Sequence, residues 1–202
     1  MVNYPKGIRP RHPQNSRIKK QKTTHYASRG MSFEDRVNDS NKFYASNRIA
    51  VIHKKPTPIQ IVKVDYPRRS AAKITEAYFR HASTTDYNGI YLGKYIDFEA
   101  KEITNTTRFP LSNIQKHQLS HMEACEEQGG IVFLLISFKK FQEVFLLPFD
   151  ILKSFMTSHN RKSIPYEYIK EYGYLCSQGT FPLIDYLKAV DSYLLDRDQE
   201  KG

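Results

Sequence analysis

Three residues of this chain have the types and spacing for chemistry at a phosphate: Asp86, Glu99 and Lys101, within the stretch STTDYNGIYLGKYIDFEAKE from Ser83 to Glu102. Two runs rich in Tyr and Ile flank Leu92-Gly93-Lys94, a Gly-containing break that predicts a β-hairpin. In the second run, strand alternation puts Ile96, Phe98 and Ala100 on one face and Asp97, Glu99 and Lys101 on the other. Asp86 opens the first run, so folding the hairpin returns it beside Glu99 and Lys101. Carboxylate oxygens are hard ligands that suit Mg²⁺ or Mn²⁺. An adjacent ammonium can orient or help deprotonate a water, or offset charge that builds on a phosphoryl group. The same letters also fit plainer roles. Glu-x-Lys is an ordinary pair on a solvated strand face, and Asp86, after Thr84 and Thr85, suits a turn.

The elements that must hold these residues come from a 202-residue chain, long enough for one domain with a full core. Hydrophobic residues at 40% and aromatics at 13% are sufficient for most of it to fold. A formal net charge of +10 points to a polyanionic partner, nucleic acid ahead of an anionic membrane surface. Cys125 and Cys176 are not spaced as metal ligands and fit a reducing compartment. No apolar run reaches the length of a membrane span and the N-terminus lacks a signal-peptide core, so a soluble cytoplasmic protein is expected, with no membrane partner.

Residues 1–29 are basic, with Arg29 last in the series, and no Asp or Glu precedes Glu34. Pro5, Pro10 and Pro13 and few apolar residues predict a disordered basic arm, either a solubilising tail or a source of phosphate contacts. Ser32 to Ser46 reads as a helix opened by an S-x-x-D capping signature, with Phe33, Val37 and Tyr44 inward. Glu34 lies in its first turn, where the helix dipole alone accounts for a carboxylate. Arg48 to Lys55 reads as a strand. Residues 56–80 read as a projecting ribbon or stalk, because Pro56, Pro58 and Pro67 sit poorly in central strands. Here Lys54, Lys55, Lys63, Arg68, Arg69, Lys73 and Arg80 outweigh Asp65 and Glu76 and interleave with Tyr66, Tyr78 and Phe79, as suits DNA backbones and unstacked bases. An exposed hairpin protected by its charges is the simpler alternative.

Ser112 and Gln115 suggest a capping box for a second helix, on which Leu111, Ile114, Gln118, Met122 and Cys125 share one face. Gln118 is a polar side chain on that apolar stripe, facing either the mouth of a carboxylate site or a backbone group it caps. The continuously apolar Ile131–Ser137 predicts a strand buried on both faces, and Glu143–Leu147 its partner. A short helix from Asp150 to about Met156, an irregular Tyr-rich stretch from Ile164 to Tyr174 and a last helix from Phe181 to Leu195 complete the expected domain of 30–195. Residues 196–202 read as a polar tail.

The order of a helix with an early Glu, a strand, Asp at a hairpin, Glu-x-Lys on the next strand, and a helix with an inward Gln resembles the PD-(D/E)xK nuclease core. More closely, RGMSFE (29–34), AVIHKKPTPIQIVKVDYPRRSAAKI (50–74), the 83–102 stretch, HQLSHM (117–122) and QGGIVFLL (128–135) resemble RecU-type Holliday junction resolvases, from about Gly30 to Val190. That resemblance implies a restriction-endonuclease-like α/β fold: a mixed β-sheet flanked by helices, with the stalk inserted. It implies a nucleoid-associated homodimer that nicks opposing strands of four-way junction DNA symmetrically with Mg²⁺, or Mn²⁺ as substitute, in recombination and repair. By position it makes Asp86 and Glu99 metal ligands joined by Thr84 and Gln118, assigns Lys101 to the water or the developing charge, and adds Thr85 and Glu34 to the site. Arg69 and Phe79 fall at its junction-contacting positions. The family signature carries a Pro where Thr85 stands here. The resemblance also brings recombinase and branch-migration proteins into view as partners. A non-enzymatic DNA-bridging, annealing or recombinase-modulating protein, and a sequence-specific restriction-type nuclease, are the competing readings.

Overall fold

The computed structural model describes residues 30–79 and 84–199. Helix α1 (Phe33–Ser46) starts where the capping signature predicts: Ser32 Oγ accepts from the Asp35 N–H at 3.1 Å, and the Asp35 carboxylate accepts from the Ser32 N–H at 3.3 Å. Phe33, Val37 and Tyr44 are buried, and so are Ser40 and Asn41, which interrupt the apolar stripe. Their oxygens are used: Ser40 Oγ accepts from the Ile184 N–H at 3.0 Å, and Asn41 Oδ1 accepts from Tyr186 OH, while Asn41 Nδ2 finds no partner among the described residues.

The central sheet runs in the order β1 (Ala50–Lys54), β4 (Tyr87–Tyr91), β5 (Lys94–Ile103), β7 (Ile131–Phe138), β8 (Glu143–Pro148), β10 (Tyr174–Leu175). Only β5 and β7 pair in parallel, and the helix α2 (Lys116–Glu127) makes the crossover between them. The other neighbours are antiparallel. Every residue of β7 is buried, as its unbroken apolar run requires. On one face of the sheet Tyr87, Phe98 and Phe133 stack across β4, β5 and β7, with centroids 4.8 and 4.7 Å apart and planes within 9°. Stacked pairs of this kind add roughly 0.5–1.5 kcal/mol each beyond their burial and pin the register of β5.

The β4–β5 hairpin closes through Leu92-Gly93, both at positive φ (50° and 74°), the conformation that matches the right-handed twist of the flanking strands. At Gly89 β1 comes so close that a Cβ would stand 2.0 Å from Val51 O, so no other residue fits there.

Between β1 and β4 the chain leaves the core. Among the described residues β2 (Ile59–Asp65) and β3 (Lys73–Phe79) pair only with each other, with register shifts between Ile61 and Val64, and nearly every residue in them is exposed. A ribbon solvated on both faces is the stalk expected from its prolines and charge.

Three elements depart from the sequence reading. Ser112 lies in a short 3₁₀ turn (Leu111–Asn113), and α2 starts later, with a box formed by Gln115 and Gln118. The stretch 164–174 is ordered, because β6 (Arg108–Pro110) pairs with β9 (Ser163–Pro165), which leads into α4 (Tyr166–Tyr172), whose Ile169 and Tyr172 complete a second core with α3 (Phe149–Ser158). The last helix, α5 (Tyr186–Gln199), starts after a small ribbon of β11 (Ser177–Gln178) and β12 (Ile184–Asp185), and it carries Asp196–Gln199, whose polar letters suggest a tail. Among the described residues no helix is long and apolar enough to cross a membrane.

Candidate active site

On β5, Tyr95, Asp97, Glu99 and Lys101 alternate onto the sheet face that α2 covers, opposite the aromatic stack. The hairpin brings Asp86 to Glu99: the Asp86 N–H donates to Glu99 Oε2 at 3.0 Å. Lys101 Nζ lies 2.6 Å from Glu99 Oε1. Glu99 is fully buried, while Lys101 keeps 30% of its side chain in solvent. Lys101 is the ion-pair partner of Glu99 Oε1, which takes no backbone or hydroxyl donor among the described residues. Burial raises the Glu99 carboxyl above the ordinary range, Lys101 pulls it back, and the neighbouring Asp86 carboxylate pushes it up again. Two carboxylates so placed present hard anionic oxygens of the kind that suit a divalent cation.

Two residues earlier on the same face, Asp97 has the opposite character. It is also wholly buried, yet Lys55 Nζ donates to Oδ2 at 2.8 Å, Tyr95 OH to Oδ2 at 2.9 Å, and Thr85 Oγ1 to Oδ1. His121 Nε2, on α2, lies 3.2 Å from Oδ2. Burial pushes the Tyr95 phenol up to about 12, so it remains a donor at neutral pH. Asp97, His121 and Cys125 each offer a ligand atom within 4.8 Å of the others. The cation there is already supplied, because Lys55 Nζ stands 2.8 Å from Asp97 and 3.4 Å from His121 Nε2. Burial also raises the Cys125 thiol, which disfavours the thiolate that a metal would need.

The remaining sequence candidates fall around these two carboxylates. Thr85 is buried and faces Asp97 and Lys55 rather than Glu99. Thr84 lines an open pocket of about 240 Å³ with Asp86, Lys54, Pro56 and Pro58. Glu34 projects from the first turn of α1 to Lys54, 2.5 Å away, so it pairs with the base of the stalk. Gln118 caps its own helix: its Oε1 accepts from the Gln115 N–H at 2.9 Å. It lies one turn before His121 on the same stripe, and a helix running antiparallel to β5 therefore carries it toward the Glu99 end. Lys55, grouped on charge with the DNA-facing lysines, has its ammonium turned inward. Lys63, Arg68, Lys73, Tyr78 and Phe79 are exposed on the stalk, Phe79 by 83%. Arg29, Arg80 and the side chain of Arg69 lie outside the described residues, as does the arm of residues 1–29.

Sequence reasoning gave Asp97, Tyr95 and His121 no place in the site. The alternation on β5 put Asp97 beside Glu99, and the spacing of His121 and Cys125 from Gln118 matched one helical face. Nothing in the letters revealed that a lysine thirty residues before Thr85 would close the network.

With this geometry in place, comparison with known proteins is decisive. The family model RecU, Recombination protein U, matches residues 28–192. The chain belongs to the RecU family. Among RecU relatives, the Holliday junction resolvase RecU of Pediococcus pentosaceus is 55% identical over 195 residues, covering 95% of this chain and 97% of its own. That of Ligilactobacillus salivarius is 56% identical over 170 residues, covering 83% and 80%. That of Streptococcus pneumoniae serotype 19F is 50% identical over 196 residues, covering 96% and 98%. Among solved structures, the Holliday junction resolvase Hjc of Archaeoglobus fulgidus aligns over 68% of this chain and 93% of its own, at a TM-score of 0.41 and 8% identity.

Proposed function

We propose that this RecU-family chain is a structure-selective endonuclease that resolves four-way DNA junctions by hydrolysing phosphodiester bonds. The observation that carries the proposal is the buried Glu99, held between Asp86 and Lys101 in a chain about half identical to named junction resolvases. The donor set fits a divalent cation, since its oxygens are hard and anionic and two carboxylates lie side by side. Asp86 and Glu99 would hold Mg²⁺, or Mn²⁺ in its place, with Thr84 and Gln118 at the rim. When bound, the ion supplies Lewis-acid polarisation of the scissile phosphate and lowers the pKa of a coordinated water.

The chain's own groups do the rest. Lys101, partly in solvent, can donate from Nζ to an incoming water or to a non-bridging phosphate oxygen, so charge that develops there meets a fixed ammonium. The Asp86 N–H fixes the rotamer of Glu99 through Oε2. Glu34 holds Lys54 at the stalk base, on the border of the pocket. The exposed stalk, with Phe79 at its return, supplies the apolar and basic surface that suits unstacked bases and converging backbones at a junction centre.

Two matched cuts need two sites related by a two-fold axis, so the active form is a homodimer. Val51, Ile90 and Tyr95 form a row across β1, β4 and β5 on the site's face of the sheet, exposed by 55%, 59% and 39%. This apolar row beside the site is the surface a second copy would cover. The deciding experiment puts purified protein on labelled four-way and linear DNA in EDTA, Mg²⁺ and Mn²⁺. Symmetric nicks confined to the junction and the metal lanes are expected. Binding and annealing without nicks in either metal would replace this reading with the non-enzymatic one, and cuts at one site in linear DNA would indicate a restriction-type nuclease.

A further inference from the structure

Lys55 is the last core residue before the stalk departs through Pro56, Thr57 and Pro58, and Thr85 is among the first after it returns. One side chain spans the two legs. Lys55 Nζ donates to Thr85 Oγ1 at 2.9 Å and to Asp97 Oδ2 at 2.8 Å, and Thr85 Oγ1 donates to the other oxygen of Asp97. Asp97 is inaccessible to solvent, with Tyr95 and His121 holding it from its own strand and from α2. The backbone of Lys55 completes the link, its N–H donating to Asp86 O at 2.7 Å. The root of a ribbon with almost no packing of its own is therefore tied, through one lysine, both to the strand bearing Glu99 and to Asp86.

We propose that Lys55 is a positioning residue: its ammonium braces the two legs of the stalk on buried Asp97, so that where the stalk sits on a junction fixes where Asp86 stands. This rests on the nuclease reading above and gives Lys55 a role other than binding phosphate. A lysine facing DNA would be solvated. Lys55 is 18% exposed and its Nζ is already shared among three side chains.

The test uses the full-length protein with Lys55→Met, which keeps the length of the side chain and removes the charge, and with Lys55→Met/Asp97→Asn, which also removes the carboxylate stranded by the first change. Junction Kd should stay within about twofold of the parent, with an unchanged log–log salt slope, since a lysine that neutralised a phosphate would, on removal, make that slope shallower by about 0.9. Single-turnover cutting at saturating protein should fall on the order of 100-fold, the cost of a misplacement of about 1 Å at a reacting group. The double variant should cut no more slowly than Lys55→Met alone, because the two side chains act as one unit. Parent-like cutting, a shallower salt slope with parent-like cutting at saturation, or a double variant slowed by the product of the single effects would each overturn the brace. Amide hydrogen exchange at Asp86 is the readout independent of cleavage. Faster exchange in Lys55→Met supports the brace even if the parent makes no cuts and the nuclease reading falls, whereas unchanged exchange removes the brace whatever the cutting shows.

Discussion

Asp97 and Glu99 stand two residues apart on one strand face, both wholly removed from water and both beside a lysine. Their surroundings are opposite. Asp97 is surrounded by Lys55, Tyr95, Thr85 and His121, so its charge is compensated and its oxygens are occupied. Among the described residues Glu99 has one backbone donor on Oε2 and the Lys101 ammonium alone at Oε1, and a second carboxylate sits beside it. A buried charge that is fully paired holds a fold together. One left short of partners costs stability and persists where a ligand completes it. On the proposed function, the contrast separates scaffold from site within a single strand.

The largest effect that sharpens this contrast is on chemistry. Glu99→Gln keeps the shape of the side chain but removes the anionic oxygen, and junction cutting should fall by at least about 10³-fold, roughly 4 kcal/mol of barrier. A time course of nicking under single-turnover conditions reads it. Next comes Asp97→Ala, which strands Lys55 and opens the network. Breaking a buried pair of this kind costs about 3 kcal/mol or more, to be read as a lower urea midpoint at unchanged slope. If Asp97→Ala proved neutral, Asp97 would not be the scaffold.

The stalk provides a smaller effect. Replacing Thr57–Tyr78 by a short turn should reduce preference for a junction over linear duplex about tenfold, or ~1.4 kcal/mol. It should leave the thermal midpoint of the core nearly unchanged, because among the described residues β2 and β3 pair only with each other. Equal preference before and after deletion would take the stalk out of recognition.

The smallest effect has the opposite sign to the first. With its carboxyl raised by burial, native Glu99 keeps its proton to higher pH than the unfolded chain does. The stability of metal-free protein therefore declines as pH rises from the ordinary carboxylate value through the raised one. Glu99→Gln should remove that decline and raise the midpoint at neutral pH by roughly 2–4 °C per kcal/mol gained. Calorimetry in EDTA across roughly pH 4–8, a range chosen to bracket ordinary carboxylate values, checks the slope. A variant less stable than the parent at neutral pH would mean that Glu99 is structural, like Asp97.

Local signals explain what the sequence disclosed. The Ser32/Asp35 box placed α1, period-two alternation put Asp97, Glu99 and Lys101 on one face, and the apolar run 131–137 marked the buried strand. The prolines and charge of 56–80 identified a ribbon outside the core. What stayed hidden depends on long-range pairing. Gln118 turns its Oε1 to its own helix start, and no spacing rule decides between Ser112/Gln115 and Gln115/Gln118. α4 is seven residues long and Tyr-rich, and it is held by packing on β8 and β9 rather than by propensity. The Lys55–Asp97 pair spans 42 positions, and its partners become visible only once the sheet order is known.

The most direct measurement of the central claim is single-turnover cutting of a labelled four-way junction by Asp86→Ala and by Lys101→Ala, beside their junction affinities. The account predicts that both variants bind as the parent does and make no nicks in Mg²⁺ or Mn²⁺. Nicking at the parental rate by both variants would contradict it.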